Sequence, residues 1–330
     1  MGKWAIAIHG GAGVDPNLPV EVQEAAKRLL ERCLRLGVSA LRSNAAAIDV
    51  VERIVRELED DPVFNAGRGS ALTNEGTVEM DASIMDGSGR RYGAVSGLST
   101  VKNPVSLARL VMDKTPHSYL AFAGAEKFAR DQGVQLEDES YFIVEDRVKV
   151  LKFAKKINAT LFGYPEIDSA TLEPKGDVPF RMNGQPLFGC YRPETVGCVV
   201  VDKRGMCAAA TSTGGITNKM VGRIGDSPII GAGIYACKLC GVSCTGEGEF
   251  ILRATLAREV AAAMEYKGLS LKGAVEYAIN ERLDEGQAGL IAVSNEGEVA
   301  YGFNSVGMFR GFATEDGNME IGIWDKMFKV

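Results

Sequence analysis

Histidine is rare in this sequence: His9 and His117 are the only two among 330 residues. A serine or cysteine nucleophile commonly takes histidine as its base, and the GxSxG turn that presents a nucleophilic serine does not occur. His9 lies beside a glycine loop, and His117 follows a proline. The sequence therefore disfavours serine–histidine and cysteine–histidine hydrolases, and it indicates a base that is not histidine.

Long apolar runs, blocks of like charge and phosphate-loop signatures are also missing. The longest apolar runs are far shorter than the roughly 20 residues of a membrane span, and residues 1–10 do not resemble a signal peptide. Lysine and arginine do not cluster and the net charge is −6, which disfavours nucleic-acid binding. No GxxxxGK[ST] occurs, and the glycines at 9–13 lack the helix start of a dinucleotide fingerprint. We therefore expect neither a nucleic acid nor a membrane as partner.

The seven cysteines are an odd number and are scattered along the chain. This usage favours reduced thiols and a cytoplasmic protein over a disulfide framework. Cys237, Cys240 and Cys244 are close enough in sequence for a metal site, but no histidine lies near them as a fourth ligand. Burial as small apolar residues is the simpler interpretation. The sequence carries no signature of an organic cofactor.

Residue periodicity divides the chain into two halves joined by a proline-rich connection. Alternation predicts strands over 4–9, 77–85, 91–98, 195–201, 206–213, 289–293, 299–304 and 319–324. Helical spacing predicts helices over 20–36, 45–58, 103–112, 123–130, 250–266 and 271–282. From about 158 to 194, five prolines interrupt a segment without a sustained period, which predicts a protease-accessible connection. The predicted class is a layered α+β fold whose second half begins at Thr195.

Thr195 follows this connection directly and opens a predicted strand. A lone threonine hydroxyl is a poor nucleophile, because it needs a base. If the chain were cut between Glu194 and Thr195, the new α-amine would stand on the same residue as the hydroxyl. A free α-amine has a pKa of about 7.7–8.0, so a useful fraction is neutral at physiological pH. The sequence therefore predicts the precursor of an N-terminal threonine hydrolase.

Seven motifs occur in order along nearly the whole chain. They are HGGAG at 9–13, FNAGRG at 64–69, EMDASIMDG at 79–87, ETVG at 194–197, TSTGG at 211–215, GRIGDSP at 222–228 and CTGEGE at 244–249. Together they resemble the plant-type L-asparaginases, also called isoaspartyl peptidases. Pro193 before the ETVG motif and the DEG run at 284–286 are most similar to the plant members. The resemblance weakens mainly over 158–193.

The resemblance implies the N-terminal nucleophile hydrolase fold, a four-layer αββα sandwich. It implies that the chain cleaves itself between Glu194 and Thr195 through an N-to-O acyl shift. The products would be an α subunit of residues 1–194, ending in the flexible connection, and a β subunit of residues 195–330. The two subunits would form one intertwined domain, and two αβ heterodimers would associate as a dimer.

The resemblance also assigns catalytic roles. Thr195 would attack the side-chain amide carbon of L-asparagine, or the isopeptide carbonyl of a β-aspartyl dipeptide, and form a covalent β-aspartyl ester. Thr213 would tune the nucleophilic hydroxyl, and Asn65 would orient the terminal amine. The Thr245 hydroxyl and the Gly246 amide would form the oxyanion hole, where donors stabilise the charge that develops on the carbonyl oxygen.

By the same resemblance, Arg223 would bind the substrate α-carboxylate and Asp226 would receive the α-ammonium group. A planar guanidinium suits bidentate binding of a carboxylate. Structural interpretations stay open beside these roles. Arg223 and Asp226 could form a surface pair, Thr213 could serve strand packing, residues 65–67 could be only a turn, and residues 245–246 could cap a helix.

Two alkali-metal loops are implied as well. In the first, main-chain oxygens would hold a structural sodium ion, at Leu58, Glu59, Asp61, Phe64, Ala66 and Arg68. In the second, an activating potassium ion would be bound by Val111, Met112, Thr115 and Ser118. In potassium-activated members, the counterparts of His117, Arg223 and Glu249 form a switch that frees the arginine for substrate. Oxygen ligands of this kind leave almost no side-chain signature in a sequence.

Two other functions remain open. A glycosylasparaginase-like enzyme would cleave sugar-linked asparagine, but such enzymes normally carry a secretory signal. A small-molecule-binding protein that has lost processing would have the same fold. The presence of Thr195, Arg223 and Asp226 argues against this second alternative.

Overall fold

The structure is a computed structural model that describes residues 2–14, 18–156, 160, 181–182, 185–186, 195–283 and 287–330. Most of the predicted connection, including Glu194, lies outside these residues, as does the DEG run at 284–286. Within the described ranges, no helix combines the length and the apolar character that a membrane crossing needs. The fold is a mixed α+β arrangement with two main sheets.

The strands, numbered in chain order, are β1 (Ala5–Ala12), β2 (Met80–Asp86), β3 (Arg91–Leu98), β4 (Tyr119–Ala121), β5 (Arg181–Met182), β6 (Gln185–Pro186), β7 (Val196–Val201), β8 (Cys207–Thr213), β9 (Ile234–Ala236), β10 (Cys240–Gly246), β11 (Ala288–Ser294), β12 (Val299–Phe303), β13 (Met308–Thr314), β14 (Met319–Gly322) and β15 (Met327–Lys329). The larger sheet has the order β15-β14-β13-β1-β7-β8-β2-β3-β4, and the smaller has the order β12-β11-β10-β9. The short strands β5 and β6 pair with each other.

The helices are α1 (Val20–Arg42), α2 (Ala47–Glu59), α3 (Pro104–Lys114), α4 (Phe122–Asp131), α5 (Glu139–Phe142), α6 (Glu145–Lys156), α7 (Gly248–Ala254), α8 (Leu256–Lys267) and α9 (Leu271–Tyr277), which continues into a π-helical turn, Ala278–Arg282. The helices α1 to α3 cover one face of the larger sheet, where Ile6 and Ile8 join their core. The alternate residues Ala5 and Ala7 belong to a second core, which the smaller sheet shares with α8 and α9. Strand alternation thus places β1 and β7 between two apolar layers.

Two predicted helices differ from the structure. The predicted helix over 250–266 is divided at Thr255, whose φ is +47°. The break lets the first amides of α8 bond outside the helix, because Ala257 N donates to Ala232 O at 3.0 Å and Arg258 N donates to Gly231 O at 2.8 Å. The predicted helix over 20–36 continues through Gly37 to residue 42. The glycine allows close packing, since a Cβ there would lie 2.4 Å from Cδ1 of Ile6.

Candidate active site

The antiparallel pairing of β7 with β8 brings two threonines together. Val196 pairs with Ser212, so Thr195 lies opposite Thr213 at the end of the ladder. The Thr195 hydroxyl donates to Oγ1 of Thr213 at 3.1 Å, and the Gly215 amide donates to the same oxygen at 3.0 Å. Both threonines are buried. The predicted proximity of the two side chains is therefore confirmed, and the tuning role of Thr213 stays a prediction.

Asn65 lies beside the turn that follows Thr213. Its Nδ2 donates to Gly215 O at 2.6 Å, its Oδ1 accepts from Ala71 N at 2.7 Å, and its carbonyl accepts from Gly214 N at 3.1 Å. These bonds tie the loop of Asn65 to the end of β8. The orienting role towards the Thr195 amine stays a prediction, because Nδ2 of Asn65 is bonded to this turn and Oδ1 to the amide of Ala71.

The expected oxyanion donors lie at the end of β10. Thr245 is buried, and its Oγ1 accepts from Ala12 N at 3.4 Å, so the hydroxyl proton remains to be donated elsewhere. Gly246 has φ +143°, and a Cβ there would lie 2.4 Å from Gln287 O, so this position requires glycine. The helix-cap interpretation of residues 245–246 is wrong, because both belong to β10 and the N-cap residue of α7 is Glu247.

Arg223 and Asp226 do not form the surface pair considered above. Arg223 instead donates through Nε and Nη2 to the carboxylate of Glu249, each at 2.9 Å. Asp226 is buried, and its Oδ2 has no hydrogen-bond partner among the described residues. Burial raises the pKa of Asp226 to about 7, although the positive charge of Arg223 opposes this. An unpaired buried carboxylate oxygen is costly, and it suits a ligand that brings a cationic donor.

His117, the third member of the expected switch, lies on the surface. Its amide donates to Thr115 Oγ1 at 3.0 Å. In the part of the chain that the structure describes, no hydrogen bond or ion pair joins His117 to Arg223 or Glu249. The structure thus brings together two of the three switch residues.

Two buried charged residues near Arg223, Lys219 and Asp81, were not predicted as part of the site. Lys219 is buried and its Nζ donates to Glu79 O at 2.6 Å. Burial lowers the pKa of Lys219 while the negative charge of Asp81 opposes the shift, and burial in turn raises the pKa of Asp81. Glu79 and Asp81 belong to the EMDASIMDG motif, whereas Lys219 lies between the TSTGG and GRIGDSP motifs. The only sequence feature that could have indicated Lys219 is a single lysine in a segment rich in threonine and glycine.

The loop after α2 gathers carbonyl oxygens around two glycines. A Cβ on Gly67 would lie 2.3 Å from Glu59 O, and a Cβ on Gly69 would lie 2.8 Å from Pro62 O and 3.1 Å from Phe64 O. Both glycines have positive φ, +52° and +90°. Such a cluster of carbonyl oxygens, which only glycine leaves open, fits a hard alkali cation.

The second expected loop also offers oxygens. Val111 O accepts from Thr115 Oγ1 at 2.9 Å, and Ser118 O accepts from Ala94 N at 2.9 Å. A carbonyl oxygen has two lone pairs, so one that accepts a single hydrogen bond keeps a second lone pair for a cation. This donor set is compatible with potassium.

Comparison with known proteins identifies the family. The profile of a family described as asparaginase matches residues 2–323. The chain belongs to this asparaginase family. The probable isoaspartyl peptidase/L-asparaginase 2 of Arabidopsis thaliana is 68% identical over 327 residues, which cover 98% of the chain and 100% of that relative. The isoaspartyl peptidase of Escherichia coli K12 is 41% identical (98% and 97% covered), and the human isoaspartyl peptidase/L-asparaginase is 40% identical (96% and 95% covered).

Proposed function

We propose that this asparaginase-family protein is an autoproteolytically activated hydrolase. It releases ammonia from L-asparagine to give L-aspartate, and it cleaves β-aspartyl dipeptides. The observation that carries this proposal is the hydroxyl of Thr195 held at 3.1 Å from that of Thr213, at the first residue of the expected β subunit. Full-length relatives with isoaspartyl peptidase and L-asparaginase names support the substrate class.

Maturation begins with Oγ1 of Thr195, which attacks the carbonyl carbon of Glu194. The C–N bond breaks, the nitrogen of Thr195 gains a proton, and an ester joins the two residues. Water then hydrolyses the ester to a Glu194 carboxylate and a free Thr195 hydroxyl. The chain thereby produces the α-amine that its own nucleophile needs as a base.

In turnover, this amine takes the proton of the Thr195 hydroxyl while the oxygen attacks the side-chain amide carbon. Thr245 and Gly246 donate to the oxyanion, and ammonia leaves with the proton. Water then attacks the β-aspartyl ester and regenerates Thr195. Asp226 and Arg223 hold the two charged groups of the amino acid, which positions the amide for attack.

The direct test compares three substrates with one purified preparation. Ammonia release from L-asparagine and hydrolysis of a β-aspartyl dipeptide are expected, whereas sugar-linked asparagine should be hydrolysed far more slowly. Faster cleavage of the sugar-linked substrate would favour the glycosylasparaginase-like alternative. Absence of all three reactions would favour a binding protein and would contradict the proposal.

We further propose a four-layer αββα sandwich of the N-terminal nucleophile hydrolase type, with subunits 1–194 and 195–330, that works in the cytoplasm as a dimer of αβ heterodimers. The buried free thiols among the described cysteines agree with a reducing compartment. Light scattering on the cleaved protein should give twice the mass of one αβ heterodimer.

A structural sodium ion at the Gly67 loop would raise thermal stability. A ligand that binds only the folded state stabilises it by about 2.7 kcal/mol at 100 times its Kd. The melting temperature should therefore be higher in sodium chloride than in tetramethylammonium chloride of equal ionic strength. Gly67→Ala, whose Cβ would lie 2.3 Å from Glu59 O, should lose this difference. Equal melting temperatures in the two salts for wild type would contradict a sodium site.

Potassium at the loop of Val111 and Ser118 would act on Arg223, which Glu249 now holds in a two-point ion pair. Exchange of sodium for potassium should lower KM for L-asparagine about fivefold, the lower end of typical coupling between sites. Glu249→Gln weakens the pair, so its KM should be nearly the same in both salts. An identical wild-type KM in sodium and potassium would show that no such switch operates.

A further inference from the structure

A buried chain of polar groups ends on the nucleophilic residue itself. His9 Nδ1 lies 3.0 Å from the carbonyl oxygen of Thr195, and His9 Nε2 lies 2.8 Å from Ser243 Oγ. Ser243 Oγ in turn lies 2.8 Å from Thr211 Oγ1. All four residues are buried, with His9, Thr211 and Ser243 at 0% exposure. Polar groups this deep must satisfy one another, because no solvent reaches them.

The direction of each hydrogen bond follows from chemistry. A carbonyl oxygen only accepts, so His9 Nδ1 carries a proton and donates to Thr195 O. Burial lowers the pKa of His9 to about 3, against the opposing effect of this hydrogen bond, so the ring is neutral and Nε2 accepts. Ser243 therefore donates to Nε2, and Thr211 donates to Ser243. Both ring nitrogens are occupied, which excludes His9 as the base for the Thr195 hydroxyl.

The chain of bonds crosses between the two sheets. His9 on β1 and Thr211 on β8 belong to the larger sheet, and Thr195 directly precedes β7 of that sheet, while Ser243 lies on β10 of the smaller one. Gly197 leaves room for the crossing, because a Cβ there would lie 2.1 Å from Ser243 Oγ and 2.3 Å from His9 Nε2. The close approach of His9 to Ser243 thus explains why the ETVG motif has glycine at position 197.

We propose that His9 is a positioning residue that fixes the main chain of Thr195 for self-cleavage and for turnover. The carbonyl that His9 holds is bonded to the same Cα that carries the hydroxyl side chain and the nitrogen. A fixed carbonyl restricts rotation about the main-chain bonds of Thr195. It thereby limits the directions in which the hydroxyl and the future α-amine can point. Displacement of a reacting group by about 1 Å can cost about 10²-fold in rate. This inference rests on the proposed function, because it takes Thr195 as the nucleophile.

The test compares two amides at position 9. In His9→Asn the side-chain amide can take the place of Nδ1–H and donate to Thr195 O. In His9→Gln the amide reaches instead towards Ser243, and the donor to Thr195 is lost. His9→Asn is expected to cleave itself and turn over within about tenfold of wild type, whereas His9→Gln should lose about 100-fold in cleavage rate and in kcat, with KM nearly unchanged.

The inference would be overturned if both variants cleave themselves and turn over as fast as wild type. It would also be overturned if both variants lose activity equally and their melting temperatures fall by the same amount. If wild type itself neither cleaves its chain nor hydrolyses substrate, the proposed function has failed instead.

A second measurement needs no variant. Because the chain has only two histidines, a ¹⁵N-histidine spectrum of the cleaved wild type contains signals of two residues, His9 and His117. His9 should be neutral with the proton on Nδ1 from about pH 5 to pH 8; a proton on Nε2 alone, or a charged ring, would refute the assignment.

Discussion

Replacement of Thr195 by alanine is expected to leave a single uncleaved chain and to lower the hydrolysis of L-asparagine by more than about 10⁴-fold. The alanine variant has neither the oxygen that attacks residue 194 nor the oxygen that attacks the substrate. The effect should be this large because one residue supplies the nucleophile for both steps and the base for the second. Gel electrophoresis under denaturing conditions and an ammonia assay measure the two losses.

Thr195→Ser is the matched control, because it keeps the hydroxyl and, once cleaved, the α-amine. It should cleave itself and keep measurable turnover, at a rate reduced by the freer rotation of a side chain without the γ-methyl group. An alanine variant that is cleaved at the same bond would assign cleavage to another group. An uncleaved alanine variant with wild-type activity would remove Thr195 from the reaction.

Replacement of Asp226 by asparagine is expected to lower kcat/KM for L-asparagine by about 10²-fold. The buried Oδ2 of Asp226 lacks a partner among the described residues, and a substrate ammonium group would provide one. An uncharged amide cannot balance that positive charge. The loss should appear mainly as a higher KM, since this contact binds the amino acid in the ground state as well as in the transition state.

Proton binding by Asp226 should make both kcat/KM and stability depend on pH. Its pKa is raised from 3.8 to about 7 by burial, so the carboxyl is neutral below that pH and cannot bind an ammonium group. Wild-type kcat/KM should therefore fall as the pH drops below about 7, and the part of this fall caused by Asp226 should be missing in Asp226→Asn. Protonation of the Thr195 α-amine is expected to contribute to the part that remains, because a free α-amine has a pKa of about 7.7–8.0.

Stability should change in the opposite sense. Between about pH 4 and pH 7 the folded chain keeps a proton on Asp226 that the unfolded chain has lost, so wild-type stability decreases as the pH rises through this range. Asparagine carries no charge to desolvate, so Asp226→Asn should melt at a higher temperature than wild type at about pH 8. A variant with a lower melting temperature at pH 8 and an unchanged KM would contradict the role of Asp226.

Local patterns predicted elements well where the core imposed a regular period. The strand over 91–98 has the predicted bounds, and α2 differs from its prediction by two residues at most. The strand β10 was missed, because its residues Cys240–Gly246 are small and lack alternation of large apolar with polar side chains. The helix break at Thr255 was missed as well, since the amides that follow it bond to carbonyls of residues 231 and 232, which are distant in sequence.

The site shows the same limit. Thr195 and its neighbours could be proposed from local motifs and from the scarcity of histidine. The bond from His9 to Ser243 spans 234 residues of sequence, and the ion pair of Arg223 with Glu249 spans 26, so no local pattern reveals either contact. Carbonyl-lined loops are equally hidden, because every residue type carries the same oxygen.

The mass of the purified wild-type chain under denaturing conditions, followed through an incubation together with activity, tests the central claim most directly. Two fragments should accumulate, residues 1–194 and a fragment whose first residue is Thr195, and their masses should sum to that of the intact chain plus one water. Activity should rise in proportion to the cleaved fraction. Full activity in a chain that remains intact would contradict the account.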